Sequence, residues 1–449
     1  MNYKTESLGE IAQVIDSLHK TPKYDDTGTY YMARATDIKY GYLNLENMLT
    51  VNEVVYADFT KRYKPSYGDI IITRVGSYGN TAFVNNTNFC LGQNTAAIIP
   101  KINNKYLFYV LNSKFIRNQI ESFVVGTTQK TLSLKLINAL QIPRLTPFNE
   151  DRIAHILSTL DDKIELNRKM NQTLEDMAQA LFKSWFVDFD PVKAKAKCSS
   201  DEELEVVAKE LGISKEILEL FPSEFEDSEL GMIPKGWEAK SFGTLLSKTI
   251  GGDWGKEEAD AKHTEKVKII RGTDIPKIKQ MSIDAVPTRY VESKKLKTRE
   301  VFDGDIIIEV SGGTKNQPTG RTLYITNEVI NMLDGKVEPA SFCRLFRPIN
   351  KEIGLILGQH MLYIYAQGKT WQYQNQSTGI SNFQTTIFLD KEYVVVPDIN
   401  ILTKFYDIIR PLIEQSLSSE NITLQKTRDT LLPKLLSGEI EVSDIEVEI

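Results

Sequence analysis

The chain has 449 residues, 41% apolar and 25% charged, with a formal net charge of −6 at pH 7. This is ordinary globular composition with room for two or three domains. No apolar run approaches the ~18 residues of a membrane span, and the opening MNYKTESLGEIAQV lacks a signal-peptide core, so the expected location is the cytoplasm. Three cysteines and four histidines, all scattered, give neither a disulfide framework nor a Cys-x-x-Cys zinc pattern, and no metal site is expected.

Residues 1–147 read mostly as strand and turn. Arg34-Ala35-Thr36-Asp37-Ile38 is followed by Gly68-Asp69-Ile70-Ile71-Ile72, a turn entering a short β-branched run of the kind that forms a buried strand. That run enters a glycine-bearing loop, Arg74-Val75-Gly76-Ser77-Tyr78-Gly79-Asn80. Glycine lets backbone approach a ligand closely, and Arg, Ser and Asn are donors that reach phosphates and base edges. A solvated hairpin turn is the alternative reading of the same loop.

From Ile153 a seam runs through Leu157, Leu160, Ile164, Asn167, Asn171, Leu174, Ala178, Leu181 and Trp185 in alternating steps of four and three. This is a heptad seam. A helix from about Glu150 to Phe186 would extend roughly 55 Å at 1.5 Å per residue. An acidic connector, 188–235, follows.

Residues 236–397 then repeat the first stretch. Arg271-Gly272-Thr273-Asp274-Ile275 and Gly304-Asp305-Ile306-Ile307-Ile308 answer to the two earlier motifs. The loop Ser311-Gly312-Gly313-Thr314-Lys315-Asn316-Gln317 stands where Arg74–Asn80 did, and Ser377-Thr378 answers to Thr127-Thr128. A period this long means two whole domains rather than a solenoid. A second seam, Leu417, Asn421, Leu424, Arg428, Leu431 and Leu435, gives Asn421 the position that Asn171 holds in the first, and Pro433 should kink or end this helix. An Asn at such a seam fixes register when it finds a polar partner.

Charge divides along the same lines. Lys and Arg exceed Asp and Glu by five over 1–147 and by three over 236–397, whereas 148–190, 191–235 and 398–449 carry −4, −5 and −5. Basic repeats on acidic connectors is the pattern expected if only the repeats face phosphate.

The stretch from Leu160 to Asn171, continuing through Ala180-Leu181-Phe182-Lys183-Ser184-Trp185-Phe186-Val187-Asp188-Phe189-Asp190-Pro191, resembles the central conserved helix of type I restriction-modification specificity subunits. Arg428–Ile440 resembles their C-terminal conserved helix, and Leu230–Trp237 the entry to their second target-recognition domain. The resemblance implies an α+β chain with two tandem target-recognition domains, 1–147 and 236–398. A central helix at 148–187, the connector at 188–235 and a C-terminal helix and tail at 399–449 complete it, the helices pairing as an antiparallel coiled coil. It further implies double-stranded DNA as ligand, an asymmetric bipartite target read one half-site per domain, and docking of methyltransferase subunits, two being expected, and of restriction subunits. A 55 Å helix exceeds the ~34 Å of one DNA turn, so the domains could take separate half-sites.

Candidate DNA contacts in the first domain are Lys20, Arg34, Thr36, Arg74, Ser77, Tyr78, Asn80, Thr128, Gln129 and Lys130. In the second they are Trp254, Lys256, Arg271, Thr273, Ser311, Thr314, Lys315, Asn316, Gln317, Ser377 and Thr378. Helix pairing is assigned to Asn167, Asn171, Leu174, Leu181, Asn421, Leu424 and Leu431. Phe182, Trp185 and Phe186, larger than a two-helix seam requires, are expected to bury against a methyltransferase subunit. No amino-methyltransferase, GxGxxG or GxxxxGK[ST] segment is present. The chain is therefore expected to be non-catalytic and to bind no cofactor, with S-adenosylmethionine held by the partner methyltransferase. A specificity module of a related defence system and a coiled-coil scaffold that does not read DNA are the competing readings.

Overall fold

The computed structural model describes residues 4–46, 48–123, 130–314, 317–377 and 380–442. The chain divides into two compact units, Met1–Glu165 with Thr423–Ile449, and Leu166–Ile422.

The first unit opens with a strand, Lys4–Ser7, paired to Gln141–Arg144 at the far end of the domain. Between them lie a four-stranded sheet, ordered Ala12–Asp16, Thr95–Pro100, Ile70–Thr73, Thr81–Phe83, and a three-stranded sheet, Thr50–Val51, Tyr30–Ala33, Phe89–Leu91. The second unit repeats this set. Glu238–Ser241 pairs with Tyr393–Val396. Leu246–Gly251, Cys343–Pro348, Ile306–Glu309 and Thr322–Tyr324 form the four-stranded sheet, and Thr288–Glu292, His263–Ile270 and Val337–Pro339 the three-stranded one. Even the register is kept: Ile70 faces Phe83 and Ile98, and Ile306 faces Tyr324 and Phe346.

The Gly-Asp-Ile-Ile-Ile motif shows why. Gly68 and Gly304 turn at φ 88° and 90°, a left-handed conformation that a side chain resists. The buried Asp69 and Asp305 carboxylates then accept backbone N–H groups of Ser66 at 3.0 Å and Phe302 at 2.7 Å, closing the turn. The three isoleucines that follow are buried on both faces of the strand. Ile70 and Ile72 enter one cluster with the helix Asn104–Leu111, and Ile71 a second with Phe89 and Leu91.

The central helix runs from Pro147 to Phe186, 40 residues and about 60 Å. Within the first unit, Ile153, Ala154 and Leu157 pack with Leu432, Leu435 and Leu436 of the helix Glu420–Ser437, which therefore runs antiparallel to it there. This junction has a polar pin. Asp161 accepts Arg428 Nη1 at 2.6 Å, Tyr40 Oη at 3.0 Å and Tyr109 Oη at 2.9 Å, while the Arg428 guanidinium lies 4.2 Å from the centre of the Tyr40 ring. Leu431 is partly buried in the same cluster, and Leu424 is half-buried.

Pro433 does not end its helix, which continues to Ser437. The buried leucines on either side of it hold the last turn against the first domain and offset the missing backbone donor.

Within the second unit, Asn167 Nδ2 donates to Asn421 Oδ1 at 2.9 Å and to Glu420 Oε2 at 2.9 Å. The seam asparagine of the C-terminal helix thus meets Asn167; Asn171 is half-buried. Further along, the seam enters the core of the second domain: Leu174 and Ala178 are buried, and Leu181 packs against that core.

Phe182, Trp185 and Phe186 correct the expectation placed on them. They are 1%, 1% and 5% exposed, inside the second domain's own core. Trp185 stands edge-on to Phe221 at 4.9 Å between centroids, and Phe186 edge-on to Phe405 at 4.7 Å. Their size serves a junction of helix, connector and the helix Ile399–Ser416, and leaves nothing for another subunit to cover.

Trp185→Ala should therefore destabilise the isolated chain by about 3–5 kcal/mol. Urea denaturation of the purified protein tests this, and an unchanged midpoint would restore a docking role.

Candidate nucleic-acid interface

In both copies the Arg-x-Thr-Asp-Ile motif follows a strand of the three-stranded sheet and forms the same clasp. The Asp37 carboxylate accepts the Arg34 backbone N–H at 3.0 Å, Nε at 2.8 Å and Nη2 at 2.9 Å; Asp274 accepts the same three groups of Arg271 at 3.0, 2.8 and 2.8 Å. The hydrogen bonds that the guanidinium groups donate to these aspartates hold both arginine pKa values above the ordinary one. Ile38 and Ile275 anchor the turn in the core, and Thr36 and Thr273 are presented to solvent. Arg34 and Arg271 are thus turn clasps, each paired with the aspartate of its own motif and still partly exposed. Arg and Asp three residues apart, twice, was the available signal.

The loop after Ile70–Thr73 touches this turn. Ser77 is exposed and its hydroxyl lies 3.4 Å from the Ala35 carbonyl oxygen. Gly76 and Gly79, at φ 76° and 80°, make the reversal that brings Ser77 there. Arg74 turns inward instead: its guanidinium pairs with Asp16, and Nε donates to the Leu132 carbonyl at 3.2 Å. It too is a scaffold residue, spent on tying the loop to segment 130–132. Tyr78 is half-buried, donating to Glu121 at 3.0 Å beneath Arg117, and the half-buried Asn80 closes the loop through its backbone on Thr73. Lys130 is exposed, 4.0 Å from Glu121. Lys20 is exposed and pairs with Asp58 at 3.1 Å, beside a hollow lined by Lys23 and Lys61, two cations that no sequence pattern singled out. Thr128 and Gln129 lie outside the described residues.

The second copy differs where its residues do. Gly272 replaces Ala35 because Glu309, in the place of Thr73, fills the space: a Cβ at Gly272 would stand 2.5 Å from Glu309 Oε1, and one at Gly312 2.3 Å from the same atom. The buried Glu309 is paired with Arg321. Ser311 begins a strand with Gly312, Thr314 is exposed, and Gln317 is half-buried. Ser377 ends the strand Gln374–Ser377, whereas Lys315, Asn316 and Thr378 lie outside the described residues. Trp254 and Lys256 stand together on a separate loop. Trp254 is partly exposed with the Arg289 guanidinium 4.8 Å from its ring, a partner not evident in the sequence, and Lys256 donates to Asp260 at 2.6 Å.

Beneath that loop lies Glu338, fully buried, with both carboxylate oxygens unpaired among the described residues. Asp253 reaches over its strand, donating its backbone N–H to the Pro339 carbonyl at 3.0 Å. Burial, with a smaller contribution from the Asp253 charge, pushes the Glu338 carboxyl up to about 7, against the pull of Arg299 and Lys295.

The fold is α+β, a tandem duplication whose copies each present the Thr-bearing turn and the following loop at one end of their sheets. Residues 1–176 match the family model described as the type I restriction modification DNA specificity domain. The chain is 25% identical to the type I restriction enzyme MjaIX specificity subunit of Methanocaldococcus jannaschii, over 98% of this chain and 94% of that protein. It is 27% identical to the type I restriction enzyme HindI specificity subunit of Haemophilus influenzae, over 83% of this chain and 86% of that protein. The crystal structure of the type-I restriction-modification system S subunit from M. genitalium has the same fold, with a TM-score of 0.50 over 97% of this chain and 96% of that one at 15% identity. Over most of its length the chain is similar in sequence to type I restriction enzyme specificity subunits.

Glu338 sets a pH dependence. With its carboxyl raised in the fold from an ordinary 4.5 to about 7, the native state holds a proton that the unfolded chain releases. Stability from this group is intact below pH 4.5 and falls as pH rises through about 7, by on the order of 3 kcal/mol in all at 1.36 kcal/mol per pH unit. Glu338→Gln should be more stable than wild type at pH 8 and indistinguishable at pH 4, measured by denaturation at both. Equal stability at pH 8 would mean the carboxylate is solvated.

Proposed function

We propose that this chain is the non-catalytic, sequence-reading subunit of a type I restriction-modification complex. Each domain takes one half-site of an asymmetric bipartite DNA target, in an assembly with methyltransferase subunits, two by this reading, and with restriction subunits. The observation that carries it is the duplication itself: one scaffold, kept to the register of its strands, holds two loop sets of different sequence, in a chain similar to specificity subunits over nearly its whole length. Two equal scaffolds with unequal loops suit two unequal half-sites. S-adenosylmethionine belongs to the methyltransferase, and the site of action is the cytoplasm; no helix among the described residues is long and apolar enough to cross a membrane.

With Phe182, Trp185 and Phe186 enclosed, the methyltransferase contact falls instead to apolar side chains that the central helix leaves outside. Leu166, Met170 and Met177 are 57%, 48% and 52% exposed, costly to leave in water and adaptable as a docking surface. The reading of a defence-system module with another catalytic partner shares this surface and differs only in who occupies it. A scaffold that does not read DNA would have no use for diverged loops.

Replacing residues 1–147 by the corresponding domain of a relative should change one half of the motif methylated in cells and leave the other half as it was. Altered methylation in both halves would sink the division of labour. Changing Leu166, Met170 and Met177 together to Asp should abolish co-purification with the methyltransferase while leaving the unfolding free energy of the chain within about 1.5 kcal/mol of wild type. Intact co-purification would place the contact elsewhere.

A further inference from the structure

The second domain carries a three-stranded sheet where the described residues of the first show a single antiparallel bridge, Val75 to Thr131. Gln374–Ser377 and Ile380–Phe383 form an antiparallel hairpin, and Ser311–Gly312 pairs with its second strand. Its faces are sharply different. On one, Phe383 is buried against Tyr373 and Phe388, Ser381 is buried beside it, and Gln374 Oε1 accepts the Thr319 backbone N–H at 3.1 Å. On the other, Asn375 and Asn382 stand directly opposite each other across the strands and both are exposed. Ser311 faces Asn382 from the third strand, and its hydroxyl hydrogen-bonds Asn382 Oδ1. Three polar side chains thus form one outward row, Ser311, Asn382, Asn375.

The row stands beside the Thr273 turn, since Gly272 of that turn and Gly312 of the hairpin sheet both press on Glu309. A two-stranded β-ribbon is one of the two elements that the DNA major groove admits, and the side-chain amide of Asn matches adenine there, accepting from N6 and donating to N7. The hydroxyl of Ser311 occupies one lone pair of Asn382 Oδ1 and fixes the amide plane. Among the described residues nothing else engages the other lone pair or the Nδ2 donors, which are placed for a base.

We propose that Asn375 and Asn382 are the base-reading pair of the second domain, each taking an adenine through its major-groove edge, with Ser311 as the positioning residue for Asn382. This rests on the chain being a DNA specificity subunit and goes beyond it by naming the residues and the base.

The test uses the chain assembled with its methyltransferase subunits and a panel of duplexes in which every base pair of each half-site is replaced in turn by the other three. A bidentate Asn–adenine contact is worth about 5- to 150-fold in discrimination. Asn382→Ala should flatten binding at one A·T position of the second half-site and Asn375→Ala at a different one, each leaving the first half-site's preferences as in wild type. That unchanged half-site reports that the variant is folded and assembled. Ser311→Ala should give a smaller loss, confined to the position that Asn382 reads. The proposal is overturned if both asparagine variants keep every wild-type preference, or if they weaken binding equally on all sequences, as phosphate contacts would. A wild-type complex without sequence preference in either half-site would instead overturn the underlying reading, and this proposal with it.

Discussion

The molecule is arranged around one constraint: a 40-residue helix must keep an apolar stripe out of water toward each of its ends, with a half-buried polar seam between them. No one partner supplies that cover. The Ile153–Leu157 stretch is enclosed by the first domain and the C-terminal leucines, Asn167 by Asn421, and Ala178–Phe186 by the second domain's aromatic core. A sequence that repeats every three and four residues can satisfy three different environments because each needs only an apolar or self-complementary polar stripe. The Asp161 cluster marks where such cover turns polar. Two tyrosines and one arginine satisfy a carboxylate that would otherwise be costly to enclose.

The duplication shows what the scaffold tolerates and what it does not. Strand order, the Gly-Asp turn and the Arg–Asp clasp are identical in the two copies because each solves a backbone problem with one geometry. Where the copies differ, they differ in linked sets: glutamate for threonine at 309 against 73 brings arginine at 321 and glycine at 272 with it. Loops can diverge freely only when such compensations keep the strand ends in place.

This explains which parts of the structure were legible in the sequence. The buried isoleucine runs and the long helix follow from local periodicity and appear where periodicity puts them. What a residue does with its charge does not follow from its identity. Arg34, Arg74 and Arg271 look like phosphate ligands, yet each is bound to an aspartate, in Arg74's case one 58 positions away. Trp185 and its neighbours look too large for a helix pair because their true surroundings come from residues 221, 237 and 405. The row of Ser311, Asn382 and Asn375 joins strands some 70 residues apart, which only strand pairing reveals. Long-range pairing, not composition, separates scaffold from surface here.

The helix that closes the first unit comes from residues past 422, while the second unit is complete in one uninterrupted span, 166–422. Synthesis proceeds from the N-terminus and domains fold as units while it does. The domain made first therefore waits longest: Ile153 and Leu157 stay partly uncovered until Leu432 and Leu436 leave the ribosome, by which time the domain made second has all its parts. A chain stopped short near residue 422 would lose, not the neighbouring domain, but the lid on the one at its opposite end.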